Sequence, residues 1–206
     1  QDVFLSRKNK KLSDFTESDL IGTTSLRRKA QLLKLNPKLK IKDVRGNVDT
    51  RIKKMIEGQY DGLVMAAAGI ERLKLNKHIT EYLEYELFLN APGQGAIAVE
   101  INSKNDELDK IVSTINHEKT MICTKNERNF MKKMGGGCNY PIGAHSYVNE
   151  GKLMLEGIVL SLDGKKSIKH RVESSNLNED LSINLSKKFN EENVRDLINE
   201  IDNEIK

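Results

Sequence analysis

The sequence predicts an α/β lobe followed by a small α+β domain. Two observations carry this. Up to about residue 73, short apolar runs alternate with segments whose apolar residues recur at helical spacing, strand then helix three times over. That is the pattern of a parallel α/β sheet with helical crossovers. Beyond Pro141 come three strand-like runs separated by Asn149-Glu150-Gly151 and Asp163-Gly164, which are turn sequences, and then two amphipathic helices. Consecutive hairpins of this kind make a three-stranded antiparallel sheet.

Val3-Phe4-Leu5 reads as a first short strand, and Arg7 to Lys11 as a charged loop. Leu20-Ile21-Gly22 is a second strand. It runs into Thr23-Thr24-Ser25, residues of N-cap type, and Leu26, Ala30, Leu33 and Leu35 follow at helical spacing until Asn36-Pro37 ends the helix. Leu39 to Val44 is the next strand. Arg45-Gly46-Asn47 turns the chain, Asn47 caps a helix whose apolar face is Val48, Ile52, Met55 and Ile56, and Gly58 closes it. Gly62 to Met65 is apolar enough for a strand buried on both faces. Ala66-Ala67-Ala68-Gly69 opens a third helix.

Tyr82 to Leu89 reads as extended and apolar. Asn90-Ala91-Pro92-Gly93-Gln94-Gly95 is the strongest linker signal in the chain, and Ala96 to Ile101 reads as a strand beyond it. Asp106 to Ile115 and His117 to Met134 are helices. In the second, Cys123, Glu127, Phe130 and Met134 share a face, which places Cys123 in or near a core. Asn178 to Lys206 is two amphipathic helices split near Asn190 to Asn193. The divisions are therefore 1–89, an α/β domain; 90–117, a hinge and connecting segment; and 118–206, an α+β domain.

Composition narrows the function. The 206 residues are 37% hydrophobic and 31% charged, which is the balance of a water-soluble globular chain, and no run approaches the 18 apolar residues of a membrane span. The formal charge of +4 is spread among interspersed acids and bases. Aromatics make up 5% with no Trp, which argues against a base-stacking nucleic-acid platform. Cys123 and Cys138 form no C-x-x-C, and the four histidines show no paired spacing, so zinc is disfavoured. No phosphate loop of the G-x-x-x-x-G-K-[ST] type is present, which argues against an NTP site.

Two local features ask for a ligand. Arg27, Arg28, Arg45, Arg51 and Arg72 all fall in the α/β unit, most of them just beyond strands or in the first turns of helices. Open α/β sheets bind ligands at the carboxyl ends of their strands, and helix N-termini there favour anions. A cation at such an end is unfavourable by a few tenths to about 1 kcal/mol. Several together are explained by an acidic ligand, because a guanidinium grips a carboxylate through two parallel bonds. Singly, each Arg is equally a solvated surface residue. The other feature is Gly135-Gly136-Gly137-Cys138-Asn139-Tyr140-Pro141. One reading is a Gly-terminated helix followed by a buried thiol. The other is a thiol presented on a loop against which something large packs.

Taken together, Gly22-Thr23-Thr24-Ser25-Leu26-Arg27-Arg28, Arg45-Gly46-Asn47-Val48-Asp49-Thr50-Arg51, Ala66-Ala67-Ala68-Gly69-Ile70-Glu71-Arg72-Leu73, Ala91-Pro92-Gly93-Gln94-Gly95-Ala96 and Gly136-Gly137-Cys138-Asn139-Tyr140-Pro141-Ile142-Gly143 resemble the successive motifs of the porphobilinogen deaminase (hydroxymethylbilane synthase) family, in order and across most of the chain. The resemblance implies three domains. A periplasmic-binding-protein-like lobe (domain 2) would occupy 1–89, a segment returning to domain 1 would occupy 90–117, and the cofactor-carrying domain 3 would occupy 118–206. It further implies a dipyrromethane cofactor covalently held at Cys138. The cofactor-binding set would be Arg27, Arg28, Arg45, Arg51, Ser25 and Asn47, and the substrate-binding set Arg72, Gln94, Ala68 and Gly69. The family's catalytic aspartate would lie upstream of Gln1, so this chain would be an incomplete portion that needs the N-terminal segment to turn over. Asp43 and Asp49 are expected to be structural. The implied reaction joins four porphobilinogens head to tail with loss of ammonia, in a cytoplasmic or plastid-type monomer without metal, nucleic acid or membrane.

The rival reading is a non-catalytic lobe that captures a polycarboxylate or phosphate. It accounts for the arginines but not for residues 135–138 or the third section.

Overall fold

The computed structural model describes residues 1–135, 137 and 139–205. Among them the α/β unit carries strands β1 (Asp2–Ser6), β2 (Leu20–Gly22), β3 (Lys40–Lys42), β4 (Gly62–Ala66) and β5 (Glu81–Tyr82), in the spatial order β3-β2-β4-β1-β5. Strand β2 runs parallel to β3 and β4, as the alternation with helices requires. Strand β1 runs antiparallel to both β4 and β5, so the sheet is mixed. Periodicity identifies a strand but carries no information about its direction.

Helix α1 (Leu26–Leu35) covers one face, and α2 (Val48–Ile56) and α3 (Ala67–Arg72) cover the other. The period-two alternation of the strands divides the core accordingly. Val3, Leu5, Leu63 and Met65 pack with Ile52, Met55 and Ile70, whereas Phe4, Ile21 and Val64 pack with Leu32 and Phe88. Both faces are covered, which is why β1 and β4 are apolar almost throughout.

The expected extended run to Leu89 is shorter than its sequence suggests. After β5 the chain turns, with the amides of Leu87 and Phe88 donating to the Glu84 carbonyl. The expected strand over Ala96 to Ile101 does not form, and Ile97 is 90% exposed. Helix α4 (Asp106–Ser113) forms, capped by Asn105, but none of its residues is buried. An alternating pattern shows which face is apolar and leaves open what covers it.

The second unit matches its sequence reading closely. Helix α5 (Glu118–Lys133) is followed by β6 (Ile142–Asn149), β7 (Lys152–Leu160) and β8 (Ser167–Ser174) in an antiparallel sheet, and then by α6 (Leu181–Glu191) and α7 (Val194–Ile205). Cys123 is half-buried against the core formed by Phe130, Leu155, Leu185 and Phe189. Among the described residues no helix is long and apolar enough to cross a membrane.

Gly157 lets this core close. A Cβ there would lie 2.6 Å from the Phe130 ring and 3.0 Å from Leu185. The ring cannot retreat, because Phe189 packs against it at a centroid distance of 4.9 Å. Gly157→Ala should therefore lower the unfolding free energy by about 1–3 kcal/mol, read by urea denaturation.

Candidate functional site

The parallel strands β2, β3 and β4 end at one edge of the sheet, and the loops that leave them lead into α1, α2 and α3. A cleft of about 740 Å³ opens at this edge, lined by Arg28, Asn47, Asp49, Arg51, Gly69 and Arg72 together with Gly46 and Ala66. Asn47 precedes α2 in extended conformation, and its side chain makes no capping bond. Nothing in sequence proximity joins Arg28, Arg51 and Arg72. The parallel topology does.

Arg51 donates Nε–H to the Gly46 carbonyl at 2.7 Å, which braces the loop. Burial lowers its pKa, and the neighbouring Arg28 charge lowers it further. Guanidiniums close enough to disfavour one another's charge are stabilised by an anion placed between them. The cleft also holds one acid, Asp49.

Arg27 and Arg28 are held from behind. Asp2, fully buried at the start of β1, accepts Nη1–H of Arg27 at 2.8 Å, and Nε–H and Nη2–H of Arg28 at 3.1 and 2.7 Å. Burial alone would raise the Asp2 pKa, but the two guanidiniums outweigh it and hold the carboxyl below its ordinary value. Gln94 completes the cluster. Its Oε1 faces both guanidiniums at 3.3 and 3.4 Å, and its Nε2 donates to Asp2 at 3.0 Å.

The predicted set therefore separates. Arg28, Arg51, Arg72, Asn47 and Gly69 come together in the cleft. Arg27 is only 4% exposed and serves the buried cluster, as does Gln94. Ser25 caps α1 by accepting the Arg28 amide. Arg45 is exposed beside the cleft-lining Gly46, and Ala68 is exposed next to Gly95. Asp43 is exposed, and its carbonyl accepts the Tyr60 hydroxyl at 2.7 Å. Cys138 lies outside the described residues. The sequence reading missed Asp2, although an acid opening an otherwise apolar strand was a visible signal.

It also missed the role of Glu127, on the core face of α5. One carboxylate oxygen accepts the Gly93 amide of the linker at 2.6 Å, and the other accepts the Ser146 amide of β6 at 2.8 Å. The side chain thus ties α5, the linker and the second sheet together. Burial pushes its pKa up to about 7 against the pull of the two amides. His145 stands 3.9 Å away, stacked on Tyr85. Burial pushes its pKa down to about 4, so at neutral pH the imidazole is uncharged and the contact is not an ion pair.

Residues 1–110 match the family model described as porphobilinogen deaminase, dipyromethane cofactor binding domain, and residues 121–192 match that of the porphobilinogen deaminase C-terminal domain. Curated relatives carry the name porphobilinogen deaminase. That of Thermus thermophilus is 40% identical over 203 residues, covering 98% of this chain and 67% of its own length. That of Syntrophomonas wolfei is 45% identical over 166 residues, covering 81% and 54%. That of a Sulfurovum species is 46% identical over 149 residues, covering 72% and 46%. The chain spans from about half to two thirds of the length of these relatives.

The Glu127 and His145 shifts act on stability with opposite signs. Glu127 binds its proton more tightly when folded, so its contribution falls as pH rises from the ordinary glutamate value to about 7. His145 binds its proton less tightly when folded, so its contribution rises from about pH 4 to its ordinary value. The two nearly cancel in the wild type over much of this range. The difference in unfolding free energy between wild type and Glu127→Gln isolates the glutamate. It should shrink by about 2–3 kcal/mol between pH 5 and 7, measured by denaturant unfolding in a pH series.

Proposed function

The chain belongs to the porphobilinogen deaminase family, and from that premise we propose that it supplies the carboxylate-gripping cleft and the cofactor attachment point of an enzyme that joins four porphobilinogen molecules head to tail, with release of ammonia, to give hydroxymethylbilane. The single observation that carries this is the convergence of Arg28, Arg51 and Arg72 on one cleft with Asn47. Pyrroles bearing acetate and propionate arms are acids of matching kind and size, and forked guanidinium–carboxylate bonds would both bind and orient them.

The residues present fit a dipyrromethane. Arg28, Arg51 and Asn47 would hold its carboxylates, with Arg45 closing from the rim, and Cys138 would carry it through a thioether. Once bound, the group would supply the carbon to which the first substrate is joined. Arg72 and Gly69 would face the incoming substrate. Arg27 and Gln94 would act from behind by keeping Arg28 aimed, and Ser25 by holding the first turn of α1. Backbone at Ala68 would border the path.

The proposed division of the chain is 1–89 for the α/β domain, 90–117 for the hinge and a segment that packs on a further domain of the enzyme, and 118–206 for the cofactor-carrying domain. The exposed apolar residues Ile97, Val99, Leu108 and Ile111 support the second of these. A cytoplasmic monomer without nucleic-acid or membrane partners completes the reading. A non-catalytic carboxylate-capturing lobe would leave the second unit without a task.

The test is a chimera in which residues 1–206 replace the matching stretch of the Thermus thermophilus relative. Tetrapyrrole release and a dipyrrole mass adduct on Cys138 are expected, and both should vanish in Cys138→Ala. Catalytic turnover by the Cys138→Ala chimera would refute the reading. Arg51→Lys and Arg72→Lys keep the charge but lose the fork, and each should lower kcat/KM by about tenfold or more.

A further inference from the structure

Gln31 lies on the inward face of α1 between Ala30 and Leu32, and it is 1% exposed. It does not line the cleft. Burying an amide among apolar side chains costs stability unless each of its polar atoms finds a partner. Both find theirs on a single residue. Gln31 Nε2–H donates to the Leu89 carbonyl at 2.9 Å, and Leu89 N–H donates to Gln31 Oε1 at 2.8 Å. Arg27 Nη1–H reaches the same carbonyl at 2.5 Å. The peptide groups of Leu89 are thus bonded to α1 much as to a neighbouring strand.

The next residue is bonded to the other unit. The Asn90 carbonyl accepts the Ala144 amide of β6 at 3.0 Å. Gly143 of β6 sits so close that a Cβ there would fall 2.9 Å from Leu89 Cβ and 3.1 Å from its carbonyl oxygen. Leu89 also packs with Ala30 from α1 and with Ile158 and Leu160 from β7. The two units are therefore tied to two successive residues of the chain, the first bonded to α1 and the second to β6.

We propose that Gln31 is a positioning residue that sets the angle between the two units by clamping the backbone of Leu89 to the helix that carries Arg27 and Arg28. A leucine at position 31 would leave the Leu89 amide without a partner and its carbonyl held by Arg27 alone, which loosens the joint. With Gln31 in place, the direction in which the chain leaves the α/β unit is tied to the same helix that aims Arg28 into the cleft. This inference concerns the joint alone and does not depend on the proposed activity.

The experiment uses the 206-residue chain with spin labels on genetically encoded residues at the exposed positions of Lys53 in α2 and Lys187 in α6, which avoids the native cysteines. Gln31→Met keeps the volume and loses both bonds. Its inter-label distance distribution should broaden or shift against the single narrow distribution of the wild type. Leu32→Ala, which weakens the same helix elsewhere, should lower stability and leave the distribution unchanged. A Gln31→Met distribution identical to wild type, or equal broadening by Leu32→Ala, would overturn the proposal. Hydrogen exchange at the Leu89 amide gives a second reading, with an acceleration of about tenfold or more expected in Gln31→Met. Should that variant fail to fold, the wild-type amide decides alone. Protection comparable to that of β4 supports the clamp, and exchange at the rate of an open loop removes it.

Discussion

The pair of arginines at the head of α1 depends on one buried carboxylate. Asp2 sits at the head of β1, out of contact with water, and meets the guanidiniums of Arg27 and Arg28. Isolated, any one of these three charges would be untenable at its depth. Together they satisfy one another, and removing one partner from such a set typically costs about 3–5 kcal/mol because it strands the rest. The arrangement also has a geometric effect. Adjacent residues on a helix point about 100° apart, so Arg27 and Arg28 cannot both face the cleft unaided. Asp2 takes Arg27 inward and accepts the Nε and Nη2 edge of Arg28, whose Nη1–H donates to the Val64 carbonyl of β4 at 3.2 Å.

This explains why much of the fold was legible in the sequence while part of the site was not. The helix start at Ser25, the stop at Asn36-Pro37 and the two hairpin turns are local signals, and each element they bound is present. The partnership of Asp2 with Arg28 spans 26 positions and that of Glu127 with Gly93 spans 34. Neither leaves a periodic trace. The antiparallel entry of β1 between β4 and β5 has the same cause, since strand order and direction are long-range properties. The reading of Ala96 to Ile101 as a strand failed for a related reason. Alternation is necessary for a half-covered strand, but a strand also needs a neighbour's backbone, and among the described residues that segment has none.

The two units meet through backbone as much as through side chains. Gly164, at the tip of the β7–β8 hairpin, lies so close to α1 that a Cβ would fall 2.4 Å from the Ala30 carbonyl, and its positive φ of 72° suits glycine. Beside it Lys34 donates to Ser167 at 2.6 Å. Helix α1 is therefore gripped at three levels, by Asp2 at its first turn, by Leu89 near its middle and by the hairpin toward its end. Glu127 adds a fourth tie from the other unit's side of the linker.

That distribution of contacts bears on how the two units can move relative to one another. The arginines of the cleft are fixed to the α/β sheet through α1, α2 and α3, whereas residue 138 follows α5 and precedes β6 in the second unit. A change in the angle at Leu89 and Asn90 would move the α/β unit against the second unit without disturbing either core. The clamps at Gln31 and Glu127 are hydrogen bonds to backbone, worth about 1 kcal/mol each net when neutral and somewhat more when charged. They are strong enough to define one resting angle and weak enough to yield to a ligand that binds another angle more tightly. Buried ionic contacts hold Arg27 and Arg28 in place, and the joint is held mainly by single hydrogen bonds to backbone. Such a division would let Arg27 and Arg28 keep their aim if the separation between the two units changed.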